Sequence, residues 1–114
     1  MTDWKKTILD SKTSIHKVIE TIENTSMQIA LIVDESGQLV GTVTDGDIRR
    51  GILKGISLDD SVQKVMKTDP VVARENESRE AVLSIIKHLK IYSIPIVDEN
   101  RCPVGLARLN KLLL

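Results

Sequence analysis

The sequence predicts an α+β fold built from two copies of one β-α-β-β-α unit. Residues 32–35 (Ile-Val-Asp-Glu) recur at residues 96–99, and Val40-Gly41 recurs as Val104-Gly105, always 64 positions apart. Between these matches, apolar residues alternate between helical spacing and runs of strand length. A duplicated unit predicts an internal pseudo-two-fold axis and a cleft between the copies, where we expect the function to lie.

The first copy, residues 1–57, begins with a short strand at residues 7–9 and a helix that Thr13 or Ser14 can cap. Apolar residues at i, i+3, i+4 and i+7 form one face of this helix, the pattern of an amphipathic helix packed on a core. These residues are Ile15, Val18, Ile19 and Ile22.

Two strands and a second helix complete the first copy. The unbroken apolar run at residues 29–33 has the length of a buried strand, and a return strand at residues 39–43 follows a turn-forming Asp-Glu-Ser-Gly segment. The second helix begins at Asp45 and stops near Gly55, because glycine is common just past helix ends. Gly51 weakens this helix, since glycine has a poor helix propensity.

The second copy, residues 58–114, repeats this order after a short amphipathic connector at residues 58–66. A Thr-Asp-Pro segment at residues 68–70 breaks the connector. The other predicted elements are a strand at residues 71–73, a helix carrying Val82, Leu83, Ile85, Ile86 and Leu89, strands at residues 94–97 and 104–107, and a helix from Leu109.

Composition narrows the classes of function. The apolar fraction of 41% can form a real core, and 16 basic residues balance 16 acidic ones, so the formal net charge is 0. This balance argues against general attraction to nucleic acids or membrane surfaces, which needs a large positive excess. With one Trp, one Tyr and no Phe, base-stacking platforms are excluded, and a planar ligand has to lie between aliphatic side chains and backbone.

The termini and the cysteine content predict a cytoplasmic piece of a longer protein. A lone cysteine, Cys102, cannot form a disulfide within the chain, which fits a reducing compartment. The N-terminal residues lack the apolar segment of a signal peptide. At the other end, Leu109 and residues 112–114, all leucine, form an apolar run that resembles a truncated helix, and we expect the polypeptide to continue.

Residues 41–50, Gly-Thr-Val-Thr-Asp-Gly-Asp-Ile-Arg-Arg, form the most polar segment at a predicted strand-to-helix junction. A helix N-terminus offers free N–H groups and the positive end of a dipole, both of which favour phosphate. Thr44 adds a hydroxyl donor, and Asp47 adds a carboxylate that can accept hydrogen bonds from two ribose hydroxyls. Arg49 and Arg50 could neutralise phosphate charge.

A purely structural interpretation of the same segment is also open. Thr44 and Asp47 have the spacing of a capping box, with Thr44 as N-cap and Asp47 at the third helical position. Asp47 and Arg50 could form an ion pair at i, i+3 on a solvated face. The two interpretations are compatible, because a capped helix can still present its first turn to a ligand.

Known phosphate and catalytic motifs are missing from the sequence. Gly41 and Gly46 have the spacing of a P-loop, but Asp47 and Ile48 occupy the positions that require Lys and Ser or Thr. His16 and His88 lie on predicted helices without a partner at metal-binding spacing, and we expect both to be exposed. No nucleophile, base and orienting group occur together, so we predict neither a catalytic site nor a metal site.

The tandem β-α-β-β-α unit, with Ile-Val-Asp-Glu followed by Val-Gly-x-x-Thr-x-x-Asp, resembles the CBS domain pair, or Bateman module, over about residues 4–114. The segment Thr-Asp-Gly-Asp-Ile-Arg-Arg at residues 44–50 is similar to two subgroups of that family. One subgroup lies at the N-terminus of sugar-phosphate nucleotidyltransferases, and the other lies in sugar-phosphate isomerases such as arabinose-5-phosphate isomerase. The start of the chain and residues 51–60 favour the first.

The resemblance implies a non-catalytic regulatory module that binds AMP, ADP or ATP, or in some members S-adenosylmethionine, in the cleft between the repeats. Asp47 matches the ribose-binding aspartate of the family, and Thr44 matches the hydroxyl residue that contacts phosphate. In this family the adenine is held by backbone and aliphatic side chains, which here correspond to Ile8, Ile29 and Ala30. The resemblance also implies a homodimer formed through the helices.

The second copy departs from the family pattern. Arg108 stands where the first copy has Thr44, and Lys111 stands where it has Asp47. A lysine cannot accept hydrogen bonds from ribose hydroxyls, so we predict at most one nucleotide per chain.

We therefore predict a regulatory domain that binds an adenine nucleotide and controls an attached sugar-phosphate nucleotidyltransferase domain, without catalysis of its own and without a nucleic-acid or membrane partner. Two alternatives remain open. The chain could be a structural dimerisation module with a vestigial cleft, or it could be the CBS pair of a sugar-phosphate isomerase.

Overall fold

A computed structural model describes residues 3–112, and the chain forms two compact units, Met1–Pro70 and Val71–Leu114. Each unit has the element order β-α-β-β-α, so the predicted α+β fold class is confirmed. The last two leucines of the predicted C-terminal run, Leu113 and Leu114, lie outside the described residues. The repeat boundary after residue 57 stays a prediction, because it concerns duplication of sequence, whereas the compact units are defined by contacts.

The first unit begins with a short 3-10 helix at Trp4–Thr7 and not directly with a strand. The hydroxyl of Thr7 donates to the Trp4 carbonyl at 2.6 Å, and Thr7 is fully buried, so the first strand starts one residue later than predicted. The elements that follow are β1 (Ile8–Asp10), α1 (Ile15–Thr25), β2 (Ile29–Val33), β3 (Leu39–Thr44), α2 (Asp45–Leu53) and a 3-10 helix at Val62–Lys64.

The sheet of the first unit has the order β1-β2-β3. Strand β1 runs parallel to β2, and β3 runs antiparallel to it, with Ile29 opposite Thr44. The first residues of β1 and β2 and the last residue of β3 therefore lie at the same end of the sheet. Helix α2 starts at that end, because it follows β3 directly.

Helices α1 and α2 cover one face of this sheet and form the core of the unit. Ser14 caps α1 by accepting from the Lys17 N–H at 3.2 Å, as its residue type predicts. The predicted apolar face of α1 is confirmed, since Ile19 packs against the buried cluster and the other three residues belong to it. The cluster consists of Ile15, Val18, Ile22, Ala30, Ile32, Val43, Ile48 and Val62.

The connector after α2 packs back onto the first unit, and its close approach requires glycine at two positions. Thr42 and Lys67 exchange backbone hydrogen bonds of 3.1 and 2.8 Å, which adds an isolated bridge to the free edge of β3. A Cβ on Gly41 would lie 2.7 Å from the Met66 sulfur, and a Cβ on Gly51 would lie 2.4 Å from Val65 Cγ1. The glycine that weakens α2 locally thus allows the connector to approach the helix.

We expect Gly51→Ala to destabilise the protein, although alanine favours a helix by about 1 kcal/mol over glycine. The added methyl overlaps Val65, and overpacking of this kind costs about 1–3 kcal/mol. Urea denaturation followed by the fluorescence of Trp4 measures the change. Val65→Ala in the same chain removes the overlapping methyl groups, so the double variant should lose less than the two single losses together. A Gly51→Ala protein that unfolds at the wild-type urea concentration or above it would contradict this packing.

The second unit repeats the first with the predicted offset of 64 residues. In β2 and β3, Ile32 lies opposite Gly41, and in the second unit Ile96 lies opposite Gly105. Even the register irregularity follows the same isoleucine in both sheets. The elements are β4 (Ala73–Arg74), α3 (Arg79–Leu89), β5 (Ser93–Val97), β6 (Pro103–Arg108) and α4 (Leu109–Leu112), in a sheet of order β4-β5-β6.

The repeated aspartate of the Ile-Val-Asp-Glu segment has a structural role in the turn. The Asp34 carboxylate accepts from the N–H groups of Ser36 and Gln38 at 2.9 and 3.0 Å. Asp98 accepts in the same way from Asn100 and Cys102, both at 2.9 Å. This side-chain turn gives the repeated aspartate the same structural role in both units.

Candidate functional site

All six residues predicted for the nucleotide site belong to the first unit, and most lie at the end of the sheet where α2 begins. Ile8 starts β1, Ile29 starts β2, and Thr44 ends β3. Thr44 and Ile29 are register partners, so their side chains project from the same face. Ile8 is the partner of Leu31, two residues from Ile29, and therefore shares that face.

Ala30 projects from the opposite face of the sheet. It pairs with Val43, and both side chains belong to the core cluster beneath the helices. Ala30 is fully buried, so its methyl group is committed to the core. Only the backbone of Ala30 remains for the role that the family resemblance implies.

Thr44 and Asp47 form the capping box that their spacing predicts. Thr44 is extended, with φ −119° and ψ 171°, and its side-chain oxygen accepts from the Asp47 N–H at 3.5 Å. In return, Asp47 Oδ2 accepts from the Thr44 N–H at 2.9 Å and from the Thr44 hydroxyl at 3.0 Å. The Thr44 proton is thus directed at Asp47, so it must turn away before the hydroxyl can donate to a phosphate.

Asp47 is buried, at 8% exposure, and the two oxygens of its carboxylate have different partners. Two hydrogen bonds within the capping box engage Oδ2, while Oδ1 accepts from Arg50 Nη2 at 2.8 Å. A carboxylate has about four acceptor positions. Two vicinal hydroxyls need two of them, and Arg50 competes for the oxygen that the capping box leaves accessible.

Arg50 lies on the carboxylate instead of extending away from the helix. Its guanidinium folds back over the first turn, and a Cβ on Gly46 would be 3.2 Å from Arg50 Nη1. The ion pair that was one alternative from sequence is therefore present, with the Arg50 side chain 63% exposed and the Asp47 side chain only 7% exposed. Residue spacing did not predict the role of Gly46, which leaves room for the guanidinium.

The second unit lacks an equivalent of this arrangement among the residues that the structure describes. Arg108 ends β6 and is half-buried, and Lys111 is exposed on the short helix α4. Neither side chain can accept a hydrogen bond from a hydroxyl. The chemistry of the Thr44 and Asp47 pair is therefore confined to the first unit.

The two histidines lie on other helices and do not belong to this site. His16 on α1 and His88 on α3 are both exposed, as predicted, and His16 Nδ1 lies 3.6 Å from a Glu20 carboxylate oxygen. Within residues 3–112, no group of three or more His, Cys, Asp or Glu side chains could hold a metal ion. Over the same span, no helix is long and apolar enough to cross a membrane.

Comparison with curated proteins finds relatives that are longer than this chain. The arabinose 5-phosphate isomerase KdsD of Pseudomonas aeruginosa is 28% identical over 102 residues, which is 89% of this chain and 31% of that protein. The chain spans only part of the length of these curated relatives, from 32% of the first of them to 14% of an L-aspartate semialdehyde sulfurtransferase from Methanocaldococcus jannaschii.

Comparison with solved structures supports the fold over nearly the whole chain. The CBS domain pair of protein MJ0100, in complex with 5′-methylthioadenosine and S-adenosyl-L-methionine, superposes with a TM-score of 0.82 at 24% identity, covering 93% of this chain and 83% of that one. The CBS domain protein PAE2072 from Pyrobaculum aerophilum, complexed with AMP, gives a TM-score of 0.81 at 16% identity, covering 90% and 79%.

The CBS domain family model matches the chain twice, over residues 5–54 and 62–114. Each match contains one of the two sheets with the same element order and strand register, and the second match begins at residue 62, before the end of the first compact unit. This chain therefore belongs to the CBS domain family, as a tandem CBS domain pair.

Proposed function

We propose that this chain is a non-catalytic regulatory module that binds one adenine nucleotide, AMP, ADP or ATP, at the first unit. Asp47 accepts hydrogen bonds from the ribose, and Thr44 and Arg50 contact phosphate. Ile8, Ile29 and the backbone of Ala30 hold the adenine. The observation that carries this proposal is the buried Asp47 carboxylate, held by a capping box at the N-terminus of α2.

Two further observations support an adenosine-containing ligand. Ile8, Ile29 and Thr44 project from one face at the end of the sheet where α2 begins, which places aliphatic and polar groups side by side. The solved CBS pairs named above carry AMP, or 5′-methylthioadenosine and S-adenosyl-L-methionine. Each of these ligands contains an adenosine moiety with a vicinal diol, the group that a carboxylate recognises by accepting two hydrogen bonds.

Isothermal titration of this chain with AMP, ADP and ATP tests the proposal. We expect saturable binding of at least one of them, with one nucleotide per chain, because Lys111 in the second unit cannot accept from a ribose. A bound nucleotide must also raise the melting temperature by mass action. Two equivalent sites per chain would contradict the argument about the second unit. An absence of binding to all three nucleotides would refute the function.

The domain that this module controls is a separate part of the proposal. The start of the chain and residues 51–60 favour a sugar-phosphate nucleotidyltransferase, whereas the similarity to arabinose 5-phosphate isomerase favours a sugar-phosphate isomerase. Because each catalytic domain has its own sequence signature, the coding sequence around this chain discriminates between the two.

A structural role in dimerisation is the second candidate function. Helix α2 exposes Ile52 at 49% and Leu53 at 81%, an apolar surface that a second copy of the chain could cover. Light scattering with and without nucleotide tests this role. A homodimer that binds no nucleotide would favour the structural function, whereas a dimer that also binds nucleotide would fit the regulatory one.

A further inference from the structure

The carboxylate proposed to bind ribose is already engaged by an arginine of its own helix. Asp47 Oδ1 accepts from Arg50 Nη2 at 2.8 Å, while Oδ2 is held by two hydrogen bonds from Thr44. A vicinal diol needs two acceptor positions on this group. The hydrogen bonds to Oδ2 belong to the helix cap, so Arg50 is the partner that a ligand can displace.

We propose that Arg50 exchanges partners during binding, from Asp47 to the phosphate of the ligand, and thereby makes this chain prefer nucleotides over nucleosides. This inference rests on the proposed function, since it assumes that Asp47 binds ribose. Arg50 thus has two roles in succession: it first competes with ribose for Asp47, and it then binds the phosphate.

The structure favours such an exchange because one side chain of the ion pair is buried and the other is exposed. Asp47 is held in place by its burial and by the capping box, whereas the Arg50 side chain is 63% exposed. Because the guanidinium itself stays largely in solvent, separating it from Asp47 costs less than breaking an ion pair that is buried on both sides. Arg50 gives Asp47 one hydrogen bond through Nη2, while a phosphate can accept two parallel bonds from the same guanidinium.

The position of the guanidinium also means that it has only a small distance to move during the exchange. Arg50 Nη1 lies over Gly46, at 3.2 Å from where a Cβ would be. Gly46 belongs to the first turn of α2, where backbone N–H groups and the helix dipole already favour a phosphate. The arginine therefore needs only to rotate away from Asp47 Oδ1 to meet a phosphate at the same helix end.

The exchange has different consequences for ligands with and without phosphate. Adenosine must displace Arg50 from Asp47 and offers it no new partner, so the lost ion pair weakens adenosine binding. AMP also displaces Arg50 from Asp47, but its phosphate can accept two hydrogen bonds from the guanidinium in place of the lost one. Removing the guanidinium should therefore strengthen adenosine binding and weaken AMP binding.

Titration of Arg50→Gln with AMP and with adenosine tests this inference. We expect adenosine affinity to rise about threefold and AMP affinity to fall about threefold or more, so the ratio of the two affinities falls about tenfold. The matched control is Lys54→Gln, which removes the same charge from an exposed residue just after α2. Its affinity ratio should stay within twofold of wild type.

Two outcomes overturn the inference and leave the proposed function intact. One is a ratio that falls by less than threefold in Arg50→Gln, and the other is loss of both ligands in this variant while the wild type binds both. Arg50→Lys keeps the charge without the planar fork and should give an intermediate ratio, which separates exchange from a change in folding. If the wild-type chain binds neither ligand, the proposed function itself fails.

Discussion

Replacing Asp47 with asparagine should lower the affinity of this chain for adenine nucleotides by about 100-fold. Hydrogen bonds to a charged group contribute about 1.5–3 kcal/mol each, and in the proposed complex the ribose diol donates two of them to this carboxylate. An asparagine can keep one acceptor, but its NH₂ group is a donor that opposes the second hydroxyl. Isothermal titration with the tightest of the three nucleotides measures the loss.

Asp45→Asn is the matched control for this experiment. Asp45 is in the same first turn of α2 and carries the same charge, but it is exposed. Its substitution removes the same charge at the helix N-terminus and leaves the Asp47 carboxylate, with its hydrogen bonds from Thr44, in place. Equal losses in the two variants would show that Asp47 acts only through its charge, and an unchanged affinity in Asp47→Asn would end the ribose assignment.

Asparagine is a sharper probe than alanine because Asp47 also has a structural function. Its Oδ2 accepts from the Thr44 N–H at 2.9 Å, a contact that an asparagine oxygen can keep. Alanine removes this half of the capping box, and lost caps cost about 1 kcal/mol. A loss of binding in Asp47→Ala therefore combines the ligand contact with a destabilised helix start.

Ile32→Ala should lower the free energy of unfolding by about 3–4 kcal/mol, the largest stability effect that we expect from a single core substitution. Ile32 is fully buried in the central strand of the first unit and packs in the cluster beneath α1 and α2. The neighbouring position across the sheet is Gly41, which has no side chain to fill the cavity. Urea denaturation followed by Trp4 fluorescence and circular dichroism measures the loss.

The internal repeat supplies the control for this substitution. Ile96 occupies the same position in the second unit, also opposite a glycine, but it is only half-buried. A partly exposed isoleucine removes less apolar surface from water, so Ile96→Ala should cost about 1–2 kcal/mol. Equal losses at the two positions would contradict the difference in packing between the two units.

The central strand of the first unit, the turn after it and the cap of α1 follow from local sequence, and for that reason they could be predicted. Residues 29–33 form the predicted strand without any shift, and Ser14 caps α1. The turn after β2 depends on Asp34, whose side chain binds N–H groups within four residues. Interactions over such short separations are visible in a sequence, because the chain itself holds the partners close together.

The roles of Gly51 and Gly41 could not be predicted, because their partners are far away in the chain. Gly51 allows Val65 to approach α2, and Gly41 allows the approach of Met66. From sequence, the first of these glycines is only a weak point in a helix. Its packing role appears when the connector folds back on the unit, which depends on the whole arrangement of the helices and the sheet.

Residue types and their spacing predict the chemistry of the candidate site, whereas the fold sets which of its polar atoms can reach a ligand. Thr44, Asp47 and Arg50 lie within two turns of one helix, so both a capping box and an ion pair could be foreseen from their spacing. Only the structure shows that Asp47 is buried, that Arg50 occupies its second oxygen, and that the Ala30 methyl group belongs to the core. Burial and competition for an oxygen depend on which surfaces meet in the folded chain, and residue spacing does not specify them.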